Sequence, residues 1–245
     1  MKIISVINEK GGTGKTTSTR EIAGVLKKSK KCLLIDCDYQ ANLTGSFGIE
    51  FDKTIYNVMT GEDINNCILE LEKNVDIIPG IINSRDLETA LEWESSKEEI
   101  LKNKLETLNK KYDYVVIDCR PDMRLLEKNA LVASDVVLTP IEPHTYSLDG
   151  FDILEELLKT IKPSLKDDIK HVGFFSRVAI GNAPKSVIAG SDNTYDNILD
   201  SYIRHSVKLQ ECSLVGKFIV DYAPRTNGAL DYKKLVKELK SKKII

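Results

Sequence analysis

Little in this 245-residue chain invites a disulfide or a metal cage. The five cysteines, Cys32, Cys37, Cys67, Cys119 and Cys212, are odd in number and form no Cys-x-x-Cys pair. That argues against a disulfide framework or a zinc site and for reduced, buried thiols. Histidine is equally scarce: His144, His171 and His205 show no spacing for a shared ligand and are expected at packing or surface positions. Aromatic residues make up 7% of the chain, and its single tryptophan, Trp93, is expected to be a partly buried helix residue between Glu92 and Glu94. Nowhere does an apolar run approach the roughly 18 residues of a bilayer-crossing helix. The first apolar stretch has only the length of a strand, so no secretory leader is expected and the compartment reads as cytoplasm. Linker-like Ser/Gly-rich segments and internal repeats are also missing, which favours one unit spanning residues 1–245.

What is present is an ordinary core-forming composition, 42% hydrophobic and 29% charged, with a net charge of −2. That small charge is unevenly spread. From Ser201 onward there are ten Lys or Arg against four Asp or Glu. The excess is densest near the end, at Lys233, Lys234, Lys237, Lys240, Lys242 and Lys243. Two readings stand side by side: a solvated helix face, or a surface that meets phosphate backbones.

Short β-rich runs alternate with helical stretches. Strands are expected at Lys2–Asn8, Cys32–Asp36, Val75–Pro79, Tyr114–Asp118, Asp135–Pro140, His171–Phe175 and Lys217–Asp221. Helices are expected at Thr16–Lys28, Arg85–Trp93, Lys97–Asn109, Leu125–Val132, Leu148–Ile161 and Tyr195–Arg204. This alternation implies an α/β fold, a mainly parallel sheet covered by helices on both faces. Ligands of such sheets sit at the carboxyl ends of the strands.

One such end carries Glu9-Lys-Gly-Gly-Thr-Gly-Lys-Thr-Thr17. The glycines let successive backbone N–H groups turn inward around a phosphate. Lys15 reaches the outer phosphates, the Thr16 hydroxyl is placed to ligate Mg²⁺, and the following helix adds its positive N-terminal end. Lys10, Gly11, Gly12, Thr13, Gly14, Lys15, Thr16 and Thr17 are the expected nucleotide-binding residues. The usual phosphate-loop pattern has Gly six positions before the lysine, where this chain has Glu9. It also has a second lysine, Lys10, inside the loop, and one subunit needs only one.

Two further strand ends carry carboxylates: Asp36-Cys-Asp38-Tyr39-Gln-Ala-Asn42, and Asp118-Cys-Arg120-Pro-Asp122. Phosphoryl transfer needs a metal to neutralise charge, carboxylates to hold the metal's waters, and a group to orient the attacking water. Asp118, ending an apolar strand, suits the metal. Asp36 and Asp38 stand close together at the strand's end, so one can face the metal and the other the water. A lone Asp at a strand end is commonly a cap; three on one edge with a phosphate loop point to chemistry.

As a set these motifs resemble the ParA-type partition ATPases of the deviant Walker A (ParA/MinD) group, in their small form, over nearly the whole length. Lys10 to Thr17, Asp36 to Asn42 and Tyr112 to Pro121 carry the family's three signatures. Further matches run from Thr54-Ile-Tyr-Asn-Val58 to Asp76-Ile-Ile-Pro79, from Asn129 to Pro143, and over Val207-Lys-Leu-Gln-Glu211. Tyr39 and Arg120 stand where the family has proline, and Asp122 where it has serine. Arg120 and Asp122 either pair with each other or neighbours, or Arg120 faces the nucleotide.

The resemblance implies a P-loop fold and hydrolysis of ATP with Mg²⁺. Lys10 crosses to the partner's nucleotide in a sandwich homodimer, with Gly12 where the two loops meet, and Lys10, Lys15 and Asp38 serve catalysis. Thr16, Asp36 and Asp118 support the metal. It also implies non-specific DNA binding, with Lys208 at a basic DNA-contacting position and Arg204, Arg225, Lys233, Lys234 and Lys237 as further candidates. A ParB-like centromere-binding adaptor and location on the nucleoid follow as expectations. Glu9 sides with partition proteins, whereas MinD-like relatives usually have Gly there. The phosphate loop lies so near residue 1 that no helix-turn-helix is expected ahead of it. A MinD-like membrane-surface ATPase remains an alternative, through the apolar stripe Tyr232, Leu235, Val236 and Leu239 of the last helix, although core packing suits that stripe better. An orphan ATPase positioning another cargo, such as conjugation machinery, is another.

Overall fold

Along β1 (Lys2–Val6), β2 (Cys32–Asp36) and β5 (Tyr114–Asp118), every second residue enters one of two separate apolar cores. Ile3, Leu33, Ile35, Val115 and Ile117 join the first; Ile4, Leu34 and Val116 join the second. Strands buried on both faces are what an apolar run without polar alternation produces in a helix-covered parallel sheet. The computed structural model describes residues 1–80, 86–144, 148–179, 181–191 and 194–245, with the side chains of 86, 182–185 and 191 set aside.

The remaining strands are β3 (Leu69–Glu72), β4 (Val75–Ile78), β6 (Val136–Ile141) and β7 (Lys170–Phe175), in the order β3-β4-β2-β5-β1-β6-β7. All neighbours are parallel except β3, which runs antiparallel to β4 with a register shift between Glu70 and Glu72. The helices are α1 (Lys15–Leu26), α2 (Asn42–Gly45), α3 (Ile55–Met59), α4 (Asp86–Ala90), α5 (Ile100–Glu106), α6 (Leu125–Ala133), α7 (Asp149–Thr160), α8 (Asn182–Ser191), α9 (Val207–Leu214), α10 (Ile219–Tyr222) and α11 (Asn227–Ser241). Residues of α3 to α7 build the first core; those of α1, α2 and α9 to α11 build the second. The expected architecture, a mainly parallel sheet with helices on both faces, is therefore the one observed.

Four expectations give way. Residues 217–221 are not a strand: Gly216, at φ +68, turns the chain, and α10 begins at Ile219. Phe218 packs where a Cβ on Gly24 of α1 would lie 2.6 Å from its ring, so this apolar run enters the helix layer. Short apolar runs are ambiguous between strand and buried helix. The segment Tyr195–Arg204 is irregular rather than helical, with a turn at 196–197 and isolated bridges at Ile198 and Arg204. It lies along β7, through Leu199 N–H to Gly173 O at 2.8 Å and Ile203 N–H to Phe175 O at 2.8 Å. The helix expected over Arg85–Trp93 is α4 alone; Arg85 lies outside the described residues, and Trp93 is 91% exposed. The stretch expected as Lys97–Asn109 splits into a single 3₁₀ turn (Lys97–Glu99) and α5. Strand β3, helix α8 and helix α9 were not anticipated as elements.

The apolar stripe of α11 is buried in the second core, with Tyr232 at 1%, Val236 at 3% and Leu235 and Leu239 at 0% exposure. Among the described residues no helix is long and apolar enough to cross a membrane. Beside this stripe, Glu21 of α1 is fully buried and its Oε2 accepts the Ile219 N–H at 2.7 Å.

Burial pushes the Glu21 carboxyl from its usual 4.5 to about 7, a rise that the Arg20 cation only partly offsets. The folded chain thus holds this proton more tightly than the unfolded chain does, so the stability it lends at low pH drains away as pH climbs from about 4.5 to about 7. Glu21→Gln keeps an acceptor for Ile219 and abolishes that slope. Melting temperatures taken between pH 5 and pH 8 should show wild type losing ground to Glu21→Gln as pH rises, and a difference that stays constant over that range would refute it.

Candidate nucleotide-binding site

Val6 ends β1 beside Asp118, and Asp36 ends β2 in register with Asp118 on its other side. Three loops therefore leave neighbouring strand ends together, which is how the topology gathers the three sequence motifs.

The first loop is held from beneath. Asn8 donates from Nδ2 to Pro140 O at 2.9 Å and accepts the Lys10 N–H on Oδ1 at 2.8 Å. Gly12 and Gly14 adopt φ +78 and +90, and Gly14 hands the chain directly to Lys15, the first residue of α1. Non-glycine residues at these two positions would be strained. Lys15 folds back over the loop and donates to Lys10 O at 2.9 Å. Burial lowers its pKa, against the pull of Asp118. This bond holds the ammonium over the loop, where outer phosphates are expected to bind. Gly11 and Gly12, at the tip, are exposed, and a Cβ on Gly12 would meet only Arg177 Nη1, at 3.5 Å.

The two strand-end carboxylates share a buried setting but not a task. Asp36 accepts the Thr44 N–H at 2.8 Å and the Thr44 hydroxyl at 2.7 Å on Oδ2, and the Asp38 N–H at 3.0 Å on Oδ1. Burial still raises its pKa to about 6. Both of its oxygens are thus engaged by the loop that follows it, where the sequence had suggested a metal contact. Thr44 Oγ1 in turn accepts the Gly80 N–H at 2.8 Å. Asp118 differs. Thr19 donates to Oδ1 at 3.4 Å, while Oδ2 is buried without a hydrogen-bond partner. Its pKa is driven well up by burial and then by Asp36, against Thr16 and Lys15. An unpartnered carboxylate oxygen beside the Thr16 hydroxyl fits a Mg²⁺ site, and among the described residues no group of three His, Cys, Asp or Glu offers a closed cage. Oxygen donors few in number suit Mg²⁺, which keeps waters and substrate phosphates as its other ligands.

Asp38 lies half-buried in the cleft wall, its Oδ1 accepting the Gln40 N–H at 2.9 Å. The cleft itself, about 610 Å³, runs from the phosphate loop past Arg120 to Ile203, His205, Ser206, Gln210 and Tyr232. The phosphate-loop and carboxylate motifs do not reach that far end, where Gln210 alone of the residues just named falls in a matched stretch; it is the room left for a base and sugar. Two more residues escape them. Ser176 donates its hydroxyl to Thr13 O, and Arg177, at φ +54, donates to Gly12 O, so the turn after β7 braces the phosphate loop. Their only sequence signal is their position, just past an apolar strand.

Arg204 lines this cleft as well, with its side chain 41% exposed. Asp231 holds it through its backbone N–H at 3.0 Å, Nε at 2.9 Å and Nη2 at 2.6 Å. The other basic candidates are exposed: Lys208, paired with Glu211 at 2.6 Å, Arg225, Lys233, Lys234 and Lys237. Arg120 pairs with Asp122 at 2.9 Å and stacks over Tyr39.

Comparison with known proteins agrees with this geometry. Residues 1–171 match the family described as AAA domain. The Bacillus subtilis protein Soj, a sporulation initiation inhibitor, is 34% identical, the match covering 97% of this chain and 98% of Soj. The chromosome-partitioning ATPase Soj of Treponema pallidum is 30% identical over 97% of this chain and 96% of its own. Among solved structures, a Borrelia burgdorferi B31 protein assigned to plasmid partition and bound to AMPPNP superposes with a TM-score of 0.85 at 28% identity, covering 98% of this chain and 99% of that one.

The Thr44 hydroxyl is the joint between Asp36 and Gly80, so Thr44→Val leaves a buried N–H and a buried carboxylate short of partners. Urea unfolding should report a loss of about 1–3 kcal/mol; an unchanged midpoint and slope would show that the joint carries no stability.

Proposed function

The chain belongs to the AAA-domain family and, within it, to the ParA/Soj partition ATPases, and on that premise we propose that it works as an ATP-switched homodimer that grips DNA without sequence preference and serves plasmid or chromosome partition. It is an ATPase, and its cofactors are ATP and Mg²⁺. The observation that carries the switch is the second lysine: Lys10 stands in the same loop as Lys15, next to the exposed Gly11 and Gly12. A cradle already furnished with one buried lysine has no need of another from its own subunit, but a facing subunit does.

The chemistry then divides among named groups. Lys15 exchanges the Lys10 carbonyl for a phosphate oxygen, giving up one neutral acceptor for a charged one. Thr16 and Asp118 are the residues to hold Mg²⁺, which draws charge from the phosphate oxygens when bound. Asp36 keeps the following loop in place, and Asp38 orients the attacking water. Lys10 reaches the partner's triphosphate, so that ATP favours the closed dimer by binding it better than the open form. His205, Ser206 and Gln210 enclose the base and sugar. Lys208, Arg225, Lys233, Lys234 and Lys237 supply positive charge for a phosphate backbone, and a centromere-binding adaptor of the ParB type accelerates hydrolysis. Burial of the α11 stripe supports this reading over a membrane-surface ATPase, because the apolar residues a bilayer would take up are already packed.

Light scattering tests the dimer. Asp38→Ala saturated with Mg-ATP should double in mass, and the same protein carrying Lys10→Ala should bind ATP yet stay single, since neither triphosphate receives the facing subunit's cation. A wild-type chain that stays monomeric with a non-hydrolysable analogue would overturn the proposal. DNA retention should appear only with ATP and decline steeply with salt. Replacing Lys208 by Glu should weaken it on every sequence and flatten the logarithmic salt slope by about 0.9 for each phosphate no longer neutralised. Retention indifferent to salt or to ATP would remove the DNA part.

A further inference from the structure

Beyond the strand ends, the loops carrying Asp38 and Asp118 separate. The last backbone bond between them is Cys37 N–H to Asp118 O, at 2.9 Å. A side-chain contact reaches across the gap: the guanidinium carbon of Arg120 lies 4.1 Å from the centre of the Tyr39 ring. The guanidinium is fixed on its other side, where Nη2 donates to Asp122 Oδ2 at 2.9 Å, and that oxygen also accepts from Arg124 Nε at 2.9 Å. Its side chain is only 19% exposed, and Arg120 lines the nucleotide cleft. Tyr39, packed against the first core, sits between Asp38 and Gln40 in a turn closed by Ala41 N–H to Asp38 O at 2.8 Å.

By the family resemblance, Tyr39 and Arg120 stand at the two motif positions where proline is expected. Proline stiffens a loop permanently by fixing φ. Here the two stiffening positions have become partners, a flat cation on an aromatic face, and such a contact opens and closes. We propose that Tyr39 and Arg120 form a clasp between the two switch loops, with Arg120 a positioning residue that holds Asp38 at its working place over the triphosphate. The inference rests on the ATPase reading for its effect on turnover, while the clasp itself exists without nucleotide. Stacking of this kind in a partly desolvated setting is worth enough to change a loop's open fraction about tenfold.

Two measurements on the full chain separate the clasp from its consequence. Hydrogen exchange of the Gln40 and Ala41 amides in the nucleotide-free protein should speed up about tenfold in Arg120→Ala and in Tyr39→Leu, and stay at the wild-type rate in Tyr39→Phe, which keeps the ring. Unchanged exchange in the first two would overturn the clasp without touching the ATPase assignment. Single-turnover hydrolysis should then slow by about tenfold in the same two variants, with the affinity for a fluorescent ATP analogue within about twofold of wild type. The double variant should be no slower than either single one. Additive losses, or faster exchange with undiminished hydrolysis, would refute the positioning role. A thousandfold loss confined to Arg120→Ala would refute it too, assigning the guanidinium to transition-state charge instead.

Discussion

Two carboxylates stand in register at the ends of adjacent strands, both withdrawn from water, and the design of the site follows from how each is compensated. Burying one ionised carboxylate is costly and burying two side by side is more so. Asp36 is satisfied by N–H and O–H donors from its own loop, so its charge is spent on shaping the chain between Asp38 and Thr44. Asp118 is left with an oxygen that nothing among the described residues satisfies. The same strand pair thereby yields one group that builds the site and one that demands a cation from outside it. Lys15, itself depressed by burial, supplies part of that demand, which explains why an ammonium is tolerated in so enclosed a place.

Much of the site was legible because phosphate recognition leans on backbone geometry. Gly12 and Gly14 are needed at positive φ whatever surrounds them, and the residues after them inherit a helix N-terminus. Asp36, Asp38 and Asp118 were legible because apolar strands announce where they end. The far half of the cleft was not. Ile203 and His205 come from a segment with no periodicity of its own, brought in by long-range packing against α11 and β7. The partner of Arg204 was hidden for a related reason: a basic residue in a basic region gives no sign that a buried acid, Asp231, awaits it.

The fold shows the same division. Core strands could be read directly, since burial on both faces leaves an uninterrupted apolar run. Failures fell where an apolar run serves another purpose. Phe218 fills the space that Gly24 leaves on α1, with Ile219 and Val220 buried in the same core, and Ile198, Leu199 and Ile203 line the flank of β7. In each case the residue types were right for burial, and only the partner chosen by tertiary packing decided helix, strand or strip. Trp93 shows the converse, a large aromatic that burial was expected to claim and did not.

The strip along β7 has a counterpart at the opposite border of the sheet, where β3 is four residues long, carries Glu70 and Glu72, and slips register between them. An open border is an invitation for another chain to add itself by main-chain pairing. One border is thus shielded by that strip and the other is short, irregular and negatively charged. Growth of the sheet from molecule to molecule is discouraged on both sides, so the folded chain can reach high local concentration without seeding fibres.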